Sequence, residues 1–180
     1  MSIIERIENF EDKGLWKSAL DILNTEMNKE PSKEISIRRV FVCWYVLVES
    51  CCIELNEPCE LEIFEENLRT ATEYLLKHFS EDAEANFYLG YMISIASWLF
   101  HKNADKLESK AKRMLAFAAR AEPENPIYEM VYLGNKSSNE KGYWEACNRA
   151  APMVEKLYKG KGKGKGEFNL YFRQVLTRKT

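Results

Sequence analysis

Few of the 180 residues combine the type and spacing that chemistry requires. The two histidines, His78 and His101, have no Cys, Asp or Glu at a telling metal-ligand spacing, and no C-x-x-C occurs. A histidine acting as general base needs a nucleophile, and no G-x-S-x-G or related motif is present. Both histidines fall near expected helix C-termini, where a cation is favoured in any case. The five cysteines are Cys43, Cys51, Cys52, Cys59 and Cys147. An odd number without framework spacing reads as reduced, buried thiols. Cys51 and Cys52, placed on a buried helix without basic neighbours, read as unreactive. Paired carboxylates such as Glu65-Glu66 and Glu81-Asp82 are plentiful but form no constellation. The expectation is a chain with no catalytic residues, no metal and no cofactor.

The run KGKGKGKG from Lys159 to Gly166 superficially resembles a phosphate loop. Counting from Gly160, the fifth residue on is Lys165 and neither Ser nor Thr follows, so the Walker pattern fails. The run reads as a flexible, solvated linker. The lesser reading is a basic contact through Lys159, Lys161, Lys163 and Lys165 to phosphate or to an acidic partner.

Charge patterning is more informative. The net charge of −2 hides three unequal segments. Residues 1–39 carry −1. Residues 40–100 hold 11 acids against Arg69 and Lys77 alone, a net −9. Residues 101–180 carry +8. Between Arg39 and Arg69 lie Glu49, Glu54, Glu57, Glu60, Glu62, Glu65 and Glu66. A solvated face is the plain reading of such a tract. The functional reading is a negative surface for a basic protein, which would relieve the mutual repulsion and speed association. Phosphate would be repelled from this half. Nucleic acid is therefore disfavoured, and would need Lys156–Lys165 and the basic C-terminal half.

These groups are carried almost entirely on expected helices. Ile3, Ile4, Ile7 and Phe10 share one face of a first helix over 2–13, with Gly14 as its cap. Trp16, Ala19, Leu20, Leu23 and Met27 mark a second, over 15–29, stopped by Pro31. A third runs from about Ser32 to Leu55. Its run Val40–Val48 is apolar all round, so a buried strand competes there, but length favours helix. Asn56-Glu57-Pro58 is the next break. Leu61, Phe64, Leu68, Ala71 and Leu75 define a fourth helix over 60–79. Ser80 is the expected cap of a fifth over 81–101, and Asn103 of a sixth over 104–121. Pro126 suits the start of a seventh. An eighth covers 140–158, kinked or interrupted at Pro152. Trp16, Trp44, Trp98 and Trp144 all fall on apolar stripes and are expected in the core. The nine-residue apolar run at Val40 is well short of the ~20 residues of a membrane span. The N-terminus lacks a signal peptide's apolar region. A cytoplasmic protein is expected.

The stretch from Gly14 through Trp16, Ala19, Leu20 and Leu23 to Pro31 resembles a tetratricopeptide-like (TPR-like) helical hairpin. Asn86-Phe87-Tyr88-Leu89-Gly90 and Ala118 followed by Pro123 are similar to other parts of that unit. Leu89-Gly90 and Leu133-Gly134 lie 44 residues apart, whereas the usual period is about 34. The resemblance implies an all-α fold: an irregular, right-handed, TPR-like stack of about eight helices. The domain would span 1–158, followed by the Lys/Gly loop 159–166 and a segment over 167–180 that caps the exposed end. It further implies a non-catalytic protein-binding scaffold. An adaptor of that kind would grip a peptide in its concave groove, with Asn86 and Arg113 as candidate contacts. Gly166–Leu176 (GEFNLYFRQVL) is similar to segments of bacterial immunity proteins. That similarity, with the acidic tract, implies an inhibitor of a basic, nuclease-type toxin.

Overall fold

Ser2 starts the chain's first helix by a reciprocal capping box: its hydroxyl accepts from the N–H of Glu5, and the Glu5 carboxylate accepts from the N–H of Ser2. The computed structural model describes residues 1–100, 104–135, 140–159 and 166–177. These form α1 (Ile3–Glu11), α2 (Trp16–Lys29), α3 (Lys33–Glu49), α4 (Leu61–His78), α5 (Ala83–Ile95), α6 (Ala104–Ala121), α7 (Pro126–Gly134), α8 (Glu140–Leu157) and α9 (Glu167–Leu176). A short 3-10 turn, Ser97–Leu99, follows α5. No strand occurs among the described residues, and the fold is all-α.

The Val40–Val48 run is helical. Every residue from Val40 to Val46 is buried, because α2, α4, α5 and α9 all pack on α3. A helix covered on all sides needs no polar stripe, which is why its sequence lacks helical periodicity. α1 packs on α2, α3 on α4, α5 on α6 and α7 on α8, while α3 also touches α5 directly. Gly90 permits close approach within one pair: a Cβ there would lie 3.0 Å from Met114 Cβ on α6.

Several boundaries differ from expectation. α3 stops at Glu49; Ser50–Cys52 form a turn, with the N–H groups of Cys52 and Ile53 donating to Glu49 O, and the chain from there to Glu60 is irregular. Asp82, not Ser80, caps α5, accepting from the N–H of Ala85. α5 ends at Ile95, and Asn86, buried, spends its amide on the carbonyls of Ser80 and Asp82, so it is unavailable to a peptide. α8 continues through Pro152 without interruption. Trp16 and Trp44 are in the core, but Trp98 is 67% exposed and Trp144 36%. Trp98 falls after α5 has ended, so the apolar register breaks. At α8, Tyr143 takes the inward contact against Gly134 in place of Trp144. His101 and Asn103 lie outside the described residues.

Candidate functional site

Two regions gather charge. The first is the corner between α3 and α4, held to the α1–α2 turn by a set of specific contacts. Gly14 has φ +64°, and a Cβ there would be 2.5 Å from the Glu54 carbonyl oxygen. A left-handed glycine therefore lets the two loops meet. The indole N–H of Trp16 donates to that same carbonyl at 3.1 Å. The Asn56 N–H donates to Gly14 O at 3.0 Å, and its side-chain amide donates to Lys13 O at 2.9 Å. Glu57 completes the join: its carboxylate accepts from the Ser18 N–H at 2.8 Å and from the Ser18 hydroxyl at 2.7 Å. Leu15, at the N-cap of α2, has no capping side chain, and Glu57 supplies the acceptor from 39 residues away.

The acidic tract thus divides. Glu57 caps α2, Glu66 is paired with Arg69, and Glu49 is half-buried at the end of α3. Glu54, Glu60, Glu62 and Glu65 are exposed and make no ion pair among the described residues. Cys51 and Cys52, expected to be buried, sit exposed at this corner with their sulfurs 3.5 Å apart, because α3 ends before reaching them. Cys43 and Cys147 are buried and Cys59 is half-buried. Burial pushes the Cys43 thiol up to about 12.

The second region is the seat of α9. This helix packs on α1, α3 and α8. Its aromatic stripe wedges between helices, with Phe168 5.0 Å from Phe41, Tyr171 5.4 Å from Trp44 and Phe172 4.9 Å from Tyr88, ring centre to ring centre. Under the start of α9 lies a buried polar group. Arg38 donates to Glu8 at 3.1 Å and stands 4.0 Å from Glu11. Its guanidinium also lies over the Phe168 ring at 4.6 Å. Asn169 donates to Glu8 at 2.8 Å. The Phe168 N–H donates to Glu11 at 3.3 Å, the Gly166 N–H donates to Asp12 at 3.1 Å, and the Tyr45 hydroxyl donates to Glu167 at 2.7 Å. Burial raises the Glu11 carboxyl to about 7, against the opposing pull of Arg38. Burial likewise raises Asp12 and Glu167 from their ordinary values.

Beside this seat is a cavity of about 550 Å³, with Tyr88, Tyr128 and Phe168 on its apolar side. Its rim mixes Lys33, Lys156 and Lys159 with Glu34 and Glu84, so charge selects neither sign of ligand. Lys33 is already paired with Asp82 and Glu84. Lys159 is exposed, whereas Lys161, Lys163 and Lys165 lie outside the described residues. Arg113 is exposed on α6, away from the lining of this cavity. No group of three or more His, Cys, Asp or Glu among the described residues could hold a metal ion. His78, at the end of α4, stacks on Tyr74 at 4.3 Å. No described helix is long and apolar enough to cross a membrane. The Gly14, Trp16 and Leu-Gly signals were legible as packing motifs. The Glu8–Arg38–Glu11 group was not, because its members come from different helices, with nothing but charge inside two apolar stripes to announce them.

Set against known proteins, the chain matches no family model, no curated protein and no solved structure.

Proposed function

We propose that the protein is a non-catalytic binding scaffold that presents the α3–α4 corner to a basic protein partner. The supporting observation is the pinning of that corner to α1 and α2, which leaves Glu54, Glu60, Glu62 and Glu65 exposed on a fixed backbone. Fixed charges of one sign gain more from a partner than mobile ones, since less ordering is required on binding. In its most specific form the reading is a TPR-like immunity protein that covers a basic nuclease-type toxin. The test uses a chain carrying Glu54→Gln, Glu60→Gln, Glu62→Gln and Glu65→Gln. Glu57 stays in place because its loss would uncap α2. A partner captured from the source lysate and identified is titrated against both chains. At least about tenfold weaker binding by the variant, with an association rate that falls with salt only in the wild type, is the expected result. Equal affinity for both chains removes the acidic-corner reading.

The second reading is an adaptor that grips a peptide. It is favoured by one observation, the cavity of about 550 Å³ beside α9 with Tyr88, Tyr128 and Phe168 on its wall. Binding that survives the four Gln substitutions and is lost in Tyr128→Ala would favour it.

A further inference from the structure

The chain enters α9 pressed against α1. Gly166 has φ +66°, and a Cβ there would lie 2.5 Å from Glu8 Cγ and 2.8 Å from Glu11 Oε2. Below this contact Arg38 is the one cation within ion-pair distance of Glu8 or Glu11 among the described residues. All three side chains are buried, with 1%, 3% and 6% exposure for Glu8, Glu11 and Arg38. One guanidinium neutralises one carboxylate. A second carboxylate in the same dry site either carries uncompensated charge or holds a proton. Each carboxylate keeps one oxygen without a hydrogen-bond partner among the described residues, but Glu8 accepts from Arg38 at 3.1 Å and from Asn169 at 2.8 Å, whereas Arg38 stands 4.0 Å from Glu11, so Glu11 is the group that holds it.

We propose that α9 is a proton-tightened clasp, whose docking on α1 and α3 takes up a proton at Glu11 and loosens as the pH rises. The groups facing Glu11 are Glu8 and Asp12 beside it, Arg38 and Tyr45 on α3, and Glu167 on α9. Glu49 acts on Tyr45 and Glu167 from the end of α3. Burial is the largest influence on Glu11, Arg38 opposes it, and Glu8 and Glu167 add to it, which places its carboxyl near 7 against an ordinary 4.5. Asp12 and Glu167 are raised as well, so all three titrate in the same direction. Lifting α9 returns Glu11 to water. Docking therefore binds a proton between the two values. It is tightest below about 4.5, loosens about tenfold per pH unit through that window, and is loosest above about 7.

Hydrogen exchange on the full chain between pH 5.5 and 8, corrected for intrinsic rates and referenced to α2 amides, reads this directly. Protection of the α9 amides is expected to fall about tenfold per pH unit up to about 7 and then level off. Glu11→Gln, which mimics the protonated acid, is expected to flatten the slope to the remainder that Asp12 and Glu167 contribute and to keep protection high. A flat wild-type profile, or an unchanged slope in Glu11→Gln, overturns the proposal. Should the variant not fold, carboxyl-carbon NMR of the wild type decides. A Glu11 midpoint near 7 supports the clasp, and one near 4.5 overturns it.

Discussion

The α3–α4 corner and the seat of α9 use one device in two solvents. Each places a carboxylate from a distant part of the chain against the bare N–H groups of a helix start: Glu57 on Ser18 of α2, and Glu11 and Asp12 at the beginning of α9. At the corner the neighbouring acids Glu54, Glu60, Glu62 and Glu65 stand in water and make no ion pair among the described residues, and only Glu54 has a local hydrogen bond, from the Asn56 amide at 3.3 Å. At the seat the acids are dry, share one guanidinium, and are part of what holds α9. Surface charge of the first kind contributes little to stability, whereas breaking a buried pair leaves a stranded ion. The two acidic groups therefore stand in opposite relation to the fold: the seat acids help hold α9, and the corner acids are the ones we propose face a partner.

The largest effect expected from breaking this contrast is at Arg38. Arg38→Met removes the guanidinium from two buried carboxylates, and should lower unfolding stability at neutral pH by about 3–5 kcal/mol in urea titration. A loss under about 1 kcal/mol would mean that the seat tolerates bare charge and behaves like the corner. Gly14→Ala comes next. It combines a left-handed backbone with a collision at the Glu54 carbonyl. A loss of about 2 kcal/mol is expected, together with faster exchange of the Asn56 amide, whose bond to Gly14 would open. If stability falls but Asn56 stays protected, the glycine serves the α1 terminus alone and does not pin the corner.

Where the sequence was legible, the signal was local. Gly14, Trp16 and Pro31 announced a hairpin, and Ser32 marked the start of α3 as read. The helical identity of Val40–Val48 followed from length, although its burial on all faces erased the period that normally proves a helix. Errors arose where a long-range contact replaced a local one. Glu57 read as one acid of a surface tract, but the missing cap at Leu15 recruits it. Nothing in the sequence of α1 marks Glu8 and Glu11 as buried, because part of their cover is α9, whose Phe168 N–H meets Glu11 from 157 residues away. Cys51 and Cys52 are exposed because α3 ends at Glu49, short of the Leu55 that the apolar run suggests. Trp98 read as core because an apolar stripe was extended past the end of α5.

The smallest expected change is the most direct test of the central claim, that the corner acids are free of structural duty while the seat acids are not. The chain with Glu54→Gln, Glu60→Gln, Glu62→Gln and Glu65→Gln is unfolded in urea beside the wild type at low salt. Its stability should match the wild type within about 0.5 kcal/mol, or exceed it as repulsion is removed. A loss of about 2 kcal/mol or more would show that these carboxylates hold the fold, and would contradict their assignment to a partner.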